Sequence, residues 1–168
     1  MVDLNLPKEE AAGARDWSET EIRRAIELLF FAYRDFTSGP DAVLARYGYG
    51  RAHHRVIHFV GRHPGITVNE LLDILQITKQ SLSRVLGTLV NDGYVEQIKG
   101  ERDRRLRHLH LTRAGVALEA ECSAVQRARV REAFSEAGSD AVAGYAGVLR
   151  ALVKPEVREG VISLVEED

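Results

Sequence analysis

A single cysteine, Cys122, stands in the 168-residue sequence. That excludes an intramolecular disulfide and fits a reducing compartment. No apolar stretch approaches the roughly 18–20 residues that span a bilayer, so no membrane partner is expected. The opening MVDLNLPKEEAAGARDW lacks the basic start and apolar run of a secretory signal, and the expected location is cytoplasmic. The sequence also lacks a strong charge of either sign. Its formal net charge is only −2, so the whole chain gives no sign of a nucleic-acid partner, and the distribution of charge has to decide. No nucleophile elbow, P-loop, paired-carboxylate motif or metal triad is visible, nor is any internal repeat or low-complexity tract. An enzyme is therefore not expected, and neither is a cofactor or a metal. An apolar fraction of 45% is enough to bury a core, and the length suits one domain with helical extensions.

Residues 1–16 are mixed and polar and read as a loosely ordered arm. A helix is expected to start at Trp17-Ser18, where Ser18 and Glu21 have capping-box spacing. Ile22, Ile26, Leu29, Phe30, Tyr33 and Phe36 follow at helical intervals, and Gly39-Pro40 is expected to stop it. Asp41 to Tyr47 reads as a separate helical turn, and Arg51 to Arg62 as a helix with Val56, Ile57, Phe59 and Val60 as anchors. Thr67 and Glu70 form a capping box for a short helix carrying Leu71, Leu72 and Leu75. After a break at Gln76-Ile77, Thr78 caps a second helix, Lys79 to Asn91, and Gly93 is placed for a left-handed cap. Two alternating segments, 94–99 and 106–111, flank the charged centre 100–105 and read as a β-hairpin with a long basic tip. Thr112 caps a long helix, Ala114–Phe134. A last helix, about 140–153, precedes Pro155 and an acidic tail.

The helix from Lys79 to Asn91 carries two unlike faces. Leu82, Val85, Leu86 and Leu89 form an apolar stripe. The opposite direction holds Gln80, Arg84, Gly87 and Asn91, flanked by Ser83 and Thr88, with no acidic group among them. Arginine can pair with guanine O6/N7, and glutamine or asparagine with adenine N6/N7, so a helix entering a major groove needs such a face. Gly87 would allow a base edge or phosphate to come close. Lys79 and Ser81 sit at the helix N-terminus, where free N–H groups favour a phosphate. From Thr78 to Arg113 eight basic residues (Lys79, Arg84, Lys99, Arg102, Arg104, Arg105, Arg107, Arg113) stand against four acidic ones (Asp92, Glu96, Glu101, Asp103). This segment is +4 while the whole chain is −2, leaving −6 elsewhere. Such polarity presents one part of the molecule to phosphates. Lys99, Arg102 and Arg104 at the tip suit the DNA backbone or a narrow minor groove.

The stretch LLDILQITKQSLSRVLGTLVNDGYVEQIKGERDRRLRHLHLTRAG, residues 71–115, resembles the core of the MarR (multiple antibiotic resistance regulator) family of winged helix-turn-helix regulators. Ile77 to Arg84 resembles the family's turn and recognition-helix start, and Leu89 to Val95 its exit, leucine followed by glycine, a hydrophobic residue and valine. Asp103-Arg104-Arg105 followed by Leu111-Thr112 and Gly115 resembles its wing signature. The resemblance implies a mainly α fold with a small β-hairpin wing. It also implies a homodimer on a pseudo-palindromic double-stranded DNA operator, with recognition helices about 34–36 Å apart. It divides the chain into dimerisation helices (17–47), a DNA-binding domain (48–113), and further dimerisation helices with an acidic tail (114–168). Thr78, Lys79, Gln80, Ser81, Ser83, Arg84, Lys99, Arg102, Asp103, Arg104 and Arg105 form the expected DNA-binding set. By the same resemblance Asp103 pairs within the wing and Arg105 meets DNA. A regulator, in the first instance a repressor, is the expected function. A winged helix serving protein assembly is the alternative; such modules often lose the basic face and wing, and both are present here.

Many members of the family respond to a small ligand or an oxidant. Tyr47, Arg51, His54 and His58 are the expected effector contacts, because the helix bearing the histidines borders the family's effector cleft and Tyr47 and Arg51 lie nearby. His54 and His58 are four apart and could also chelate a metal or simply pack, but no local Asp, Glu or Cys completes a metal site. Cys122 is expected to be a buried, inert thiol.

Overall fold

The computed structural model describes residues 16–100 and 106–166. All but the last residue of the expected arm, and the wing tip 101–105, lie outside them. The chain divides into two compact units, one ending at Asp35 and one running from Phe36. In the first, Ser18 and Glu21 form the expected capping box: the Ser18 N–H donates to the Glu21 carboxylate at 3.0 Å, and the Glu21 N–H to Ser18 Oγ at 3.3 Å. This opens α1 (Glu19–Ala45).

The expected stop at Gly39-Pro40 does not occur. Helix α1 runs through both residues to Ala45, absorbing the turn expected at 41–47. Packing explains this. Pro40 is fully buried, beside Thr37, Val43 and Leu44 on the same helix. A Cβ on Gly39 would lie 2.5 Å from Val125 Cγ1, so glycine is there for close approach to a neighbouring helix. One hydrogen bond forfeited at proline is outweighed by the apolar surface this turn buries.

Helix α2 (Arg51–Arg62) follows, with Val56, Ile57 and Val60 wholly buried. Gly65, at φ 90°, then turns the chain into a two-residue strand, β1 (Ile66–Thr67). This strand was not expected, since two residues show no alternation. It pairs with the returning wing strand, so the wing is one edge of a three-stranded antiparallel sheet rather than a lone hairpin. Thr67 caps α3 (Val68–Leu75) in a complete box with Glu70. Gln76, at φ 51°, makes the left-handed turn into α4 (Lys79–Asn91).

Strands β2 (Val95–Lys99) and β3 (Arg107–Leu111) pair from Val95↔Leu111 to Lys99↔Arg107, giving the sheet the order β1-β3-β2. Helix α5 (Arg113–Ala137) packs against α2 and α6 (Ser139–Leu152). The segment expected as an acidic tail forms another helix, α7 (Pro155–Glu166). Proline at a first helical position costs nothing, because that N–H has no intrahelical partner. Among the described residues no helix is long and apolar enough to cross a membrane.

Two features of the second unit lead to measurements. The Thr112 hydroxyl accepts the Gly115 N–H at 3.1 Å and donates to the Gly93 carbonyl at 2.6 Å. A Cβ on Gly115 would stand 2.1 Å from the Tyr94 carbonyl oxygen, a backbone atom with little freedom to move. Gly115→Ala should therefore cost about 3 kcal/mol of stability, the upper part of the overpacking range, and urea denaturation will show it. A midpoint unchanged from wild type would mean that this approach is not tight.

His54 is buried, and its Nε2 has no hydrogen-bond partner. Burial lowers its pKa; His58 and Arg55 push the same way, and Asp41 and Glu119 oppose. The folded value thus lies below the ~6.5 of an unfolded histidine. Stability from neutral His54 is present above that pH and is lost as pH falls below it, since the unfolded chain then binds the proton more readily. His53 shifts in the same direction, again chiefly through burial. Denaturation at about pH 7 and about pH 5 should show wild type losing more stability on acidification than His54→Gln; equal losses would contradict it.

Candidate nucleic-acid interface

Helix α4 has one buried and one exposed face. Its start is fixed by Thr78, whose Oγ1 accepts the Ser81 N–H at 3.2 Å and donates to Ser81 Oγ at 2.9 Å. Leu82, Leu86 and Leu89 are buried in the core, and Val85 packs against it. The expected opposite face is open: Thr78, Lys79, Gln80, Ser81, Ser83, Arg84 and Asn91 are all exposed. Thr88 donates its hydroxyl proton to the Arg84 carbonyl at 3.1 Å, so that proton is engaged within the helix. Gly87 has nothing within 4 Å of a would-be Cβ.

The helix ends at Asp92, and Gly93 takes the left-handed φ of 77° expected of it. The Tyr94 N–H returns to the Leu89 carbonyl at 2.9 Å, and the chain enters β2 at once. Recognition-type helix and wing are therefore joined by only three residues. Lys99 is exposed and sits opposite Arg107 in the last rung of the hairpin. Like charges facing across a ladder are unfavourable without a counter-charge. Arg107 counted only toward the charge balance in the sequence; its register with Lys99 is what marks it as a further cation of this surface. Beyond that rung the Gly100 N–H donates to the Leu106 carbonyl at 3.1 Å. Arg102, Asp103, Arg104 and Arg105 lie outside the described residues.

Of the four expected effector contacts, His54 lies within electrostatic reach of both His58 and Asp41, the partner of Arg51, while Tyr47 turns toward Tyr94. Tyr47 meets the Tyr94 ring edge-on with centroids 6.2 Å apart, and Arg51 pairs with Asp41 at 2.6 Å. His54 is buried, with its ring centroid 6.2 Å from that of His58. Only His58 reaches an open cleft of 880 Å³, shared with Phe36, Arg62, Glu119, Gln126 and Arg131. His58 Nδ1 lies 3.6 Å from Glu119 Oε1, a partner on α5 that local sequence could not reveal. Among the described residues no three His, Cys, Asp or Glu side chains gather as a metal site. His108 and His110 stand on β3, the central strand of the sheet: His108 Nδ1 lies 2.8 Å from the Gly65 carbonyl, and His110 sits beside Gly65. Cys122 is fully buried, and burial pushes its thiol up to about 11, so it is no thiolate at neutral pH.

The sequence profile of the MarR family matches residues 47–106, the segment from the end of α1 to the wing tip. The HTH-type transcriptional regulator PetP of Rhodobacter capsulatus is 53% identical over 141 residues, covering 84% of this chain and 85% of PetP. Among solved structures, Streptococcus pneumoniae FabT in complex with DNA superposes with a TM-score of 0.70 at 23% identity, covering 78% of this chain and 94% of FabT. A mutant MarR from E. coli complexed with operator DNA gives 0.64 at 23% identity, covering 83% of this chain and all of that one. The two structures share the winged-helix fold, and PetP shares the sequence along most of its length. The chain belongs to the MarR family and is a transcriptional regulator.

Proposed function

We propose that this chain binds double-stranded DNA sequence-specifically as a homodimer, laying α4 in the major groove of each half-site with the wing against the flanking backbone. The observation that carries this reading is the exposed face of α4, which holds Gln80, Ser83 and Arg84 and no carboxylate. Gly87 adds to it. An interior helical glycine costs roughly 1 kcal/mol relative to alanine, and here nothing in the protein needs the space. A close-approaching partner would. The FabT and E. coli MarR structures are complexes with DNA, which supports the same docking for this fold.

The homodimer reading rests on apolar surface. Ile26, Leu28 and Phe30 of α1 are each more than 60% exposed, and so are Val148 of α6 and Val165 of α7. Apolar side chains grouped this way on terminal helices mark interfaces. Two recognition helices seated on a promoter would exclude polymerase, so repression is the proposed mode. A small-molecule effector would enter by the cleft that includes His58, where Arg62 and Arg131 favour an anionic ligand.

Duplexes selected by the wild-type chain from a random-sequence library test the reading by fluorescence anisotropy. Arg84→Ala should weaken binding by about 10–100-fold, the value of a bidentate base contact, and relax preference at one position. Lys99→Ala should weaken all sequences alike and reduce the salt slope by about one. Gly87→Ala should raise stability by about 0.5–1 kcal/mol yet lower affinity. Recovery of no preferred sequence would overturn the specific-DNA reading.

A further inference from the structure

The joint between α4 and the wing is touched by a residue from outside both. Tyr49 lies in the loop between α1 and α2, with its ring only 9% exposed. Its hydroxyl donates to Asp92 Oδ2 at 2.6 Å, across 43 residues of sequence. Its ring meets the Tyr94 ring edge-on at 5.5 Å and is stacked on His53 at 4.8 Å. One side chain therefore holds the residue that caps the end of the helix and the residue that leads into the first wing strand. Gly93, between them, makes the left-handed turn at φ 77°.

Asp92 makes the contact more telling. A carboxylate at a helix C-terminus opposes the negative end of the helix dipole. Nothing in the local sequence favours it there, and no cation is within ion-pair distance of it among the described residues. What it does is accept the Tyr49 hydroxyl. The bond joins the α1–α2 loop to the end of α4, adding a directional contact to the apolar packing in which Tyr49 also takes part.

We propose that Tyr49 is a positioning residue for DNA recognition: through Asp92 and Tyr94 it fixes the angle between α4 and the wing, so that both meet DNA in register. This rests on the DNA-binding reading given above. Without the bond the two elements remain folded, still tied by the Thr112 contacts, but the angle between them is less narrowly fixed. Contacts that need both at once, those of a matched site, weaken. Binding to unmatched duplex, which needs only phosphate attraction, does not.

The test uses the full chain, a duplex selected by the wild type and a scrambled duplex of equal length, with thermal denaturation in parallel. Tyr49→Phe keeps the ring and removes the hydroxyl. It should lose about tenfold in affinity for the selected duplex, the scale of one charge-assisted hydrogen bond, with scrambled-duplex affinity and Tm near wild type. Asp92→Asn keeps an acceptor and should bind like wild type. Asp92→Ala should match Tyr49→Phe, and the double variant should be no worse than either. Equal loss on both duplexes together with a lowered Tm would make Tyr49 a merely structural residue and overturn the proposal, as would unchanged discrimination. If Arg84→Ala weakens the selected duplex while Tyr49→Phe does not, the positioning role fails and the DNA reading stands. If the wild type discriminates between no duplexes, both fall.

Discussion

Three segments of this chain meet at the carbonyl of Tyr94. It accepts the Thr112 N–H at 3.0 Å, and it stands where any side chain on residue 115 would have to be. The exit of α4, the first strand of the wing and the first turn of α5 are pressed together at that oxygen. Thr112 adds its hydroxyl to the Gly93 carbonyl, so each cap serves two elements at once. This constraint is geometric rather than hydrophobic, and it sets where the wing leaves the body. The apolar core then seats what the joint has aligned.

That seating is narrow. Leu82, Leu86 and Leu89 lie along one side of α4, and each fully buried leucine contributes about 1.5–3 kcal/mol relative to exposure. Rotating the helix about its axis would expose them, so burial of one face fixes the direction of the other. The exposed side chains need not stabilise anything themselves. This leaves their identity free to answer to a partner, which is why a stripe of amides, hydroxyls and one guanidinium can persist there.

The sequence was most legible where local chemistry and tertiary structure agree. Thr78 and Gly93 bracket α4 at its observed bounds because a hydroxyl cap and a left-handed glycine act within one turn of the backbone. Thr67 with Glu70 does the same for α3. Reading failed where a distant neighbour decides. Gly39-Pro40 has the chemistry of a stop, yet Val125, some 86 positions later, gives the pair a packing role inside α1. The strand at Ile66–Thr67 exists only because β3 passes beside it, and Glu119 approaches His58 from another helix. Of the candidate interface, the face of α4 was legible from periodicity. The pairing of Tyr49 with Asp92 left no trace in spacing, since it joins residues with no periodic relation.

The Gly100–Leu106 hydrogen bond closes the hairpin just beyond the Lys99↔Arg107 rung. No residue of the described core cluster lies between the two ends of that clasp. Substitutions between residues 100 and 106 therefore change the charge of the wing without replacing a side chain of that cluster. If the proposed docking holds, overall grip and sequence preference are then tuned by different mutations. On the proposed DNA reading, a lineage could acquire new target sites through α4 while adjusting residence time at the loop.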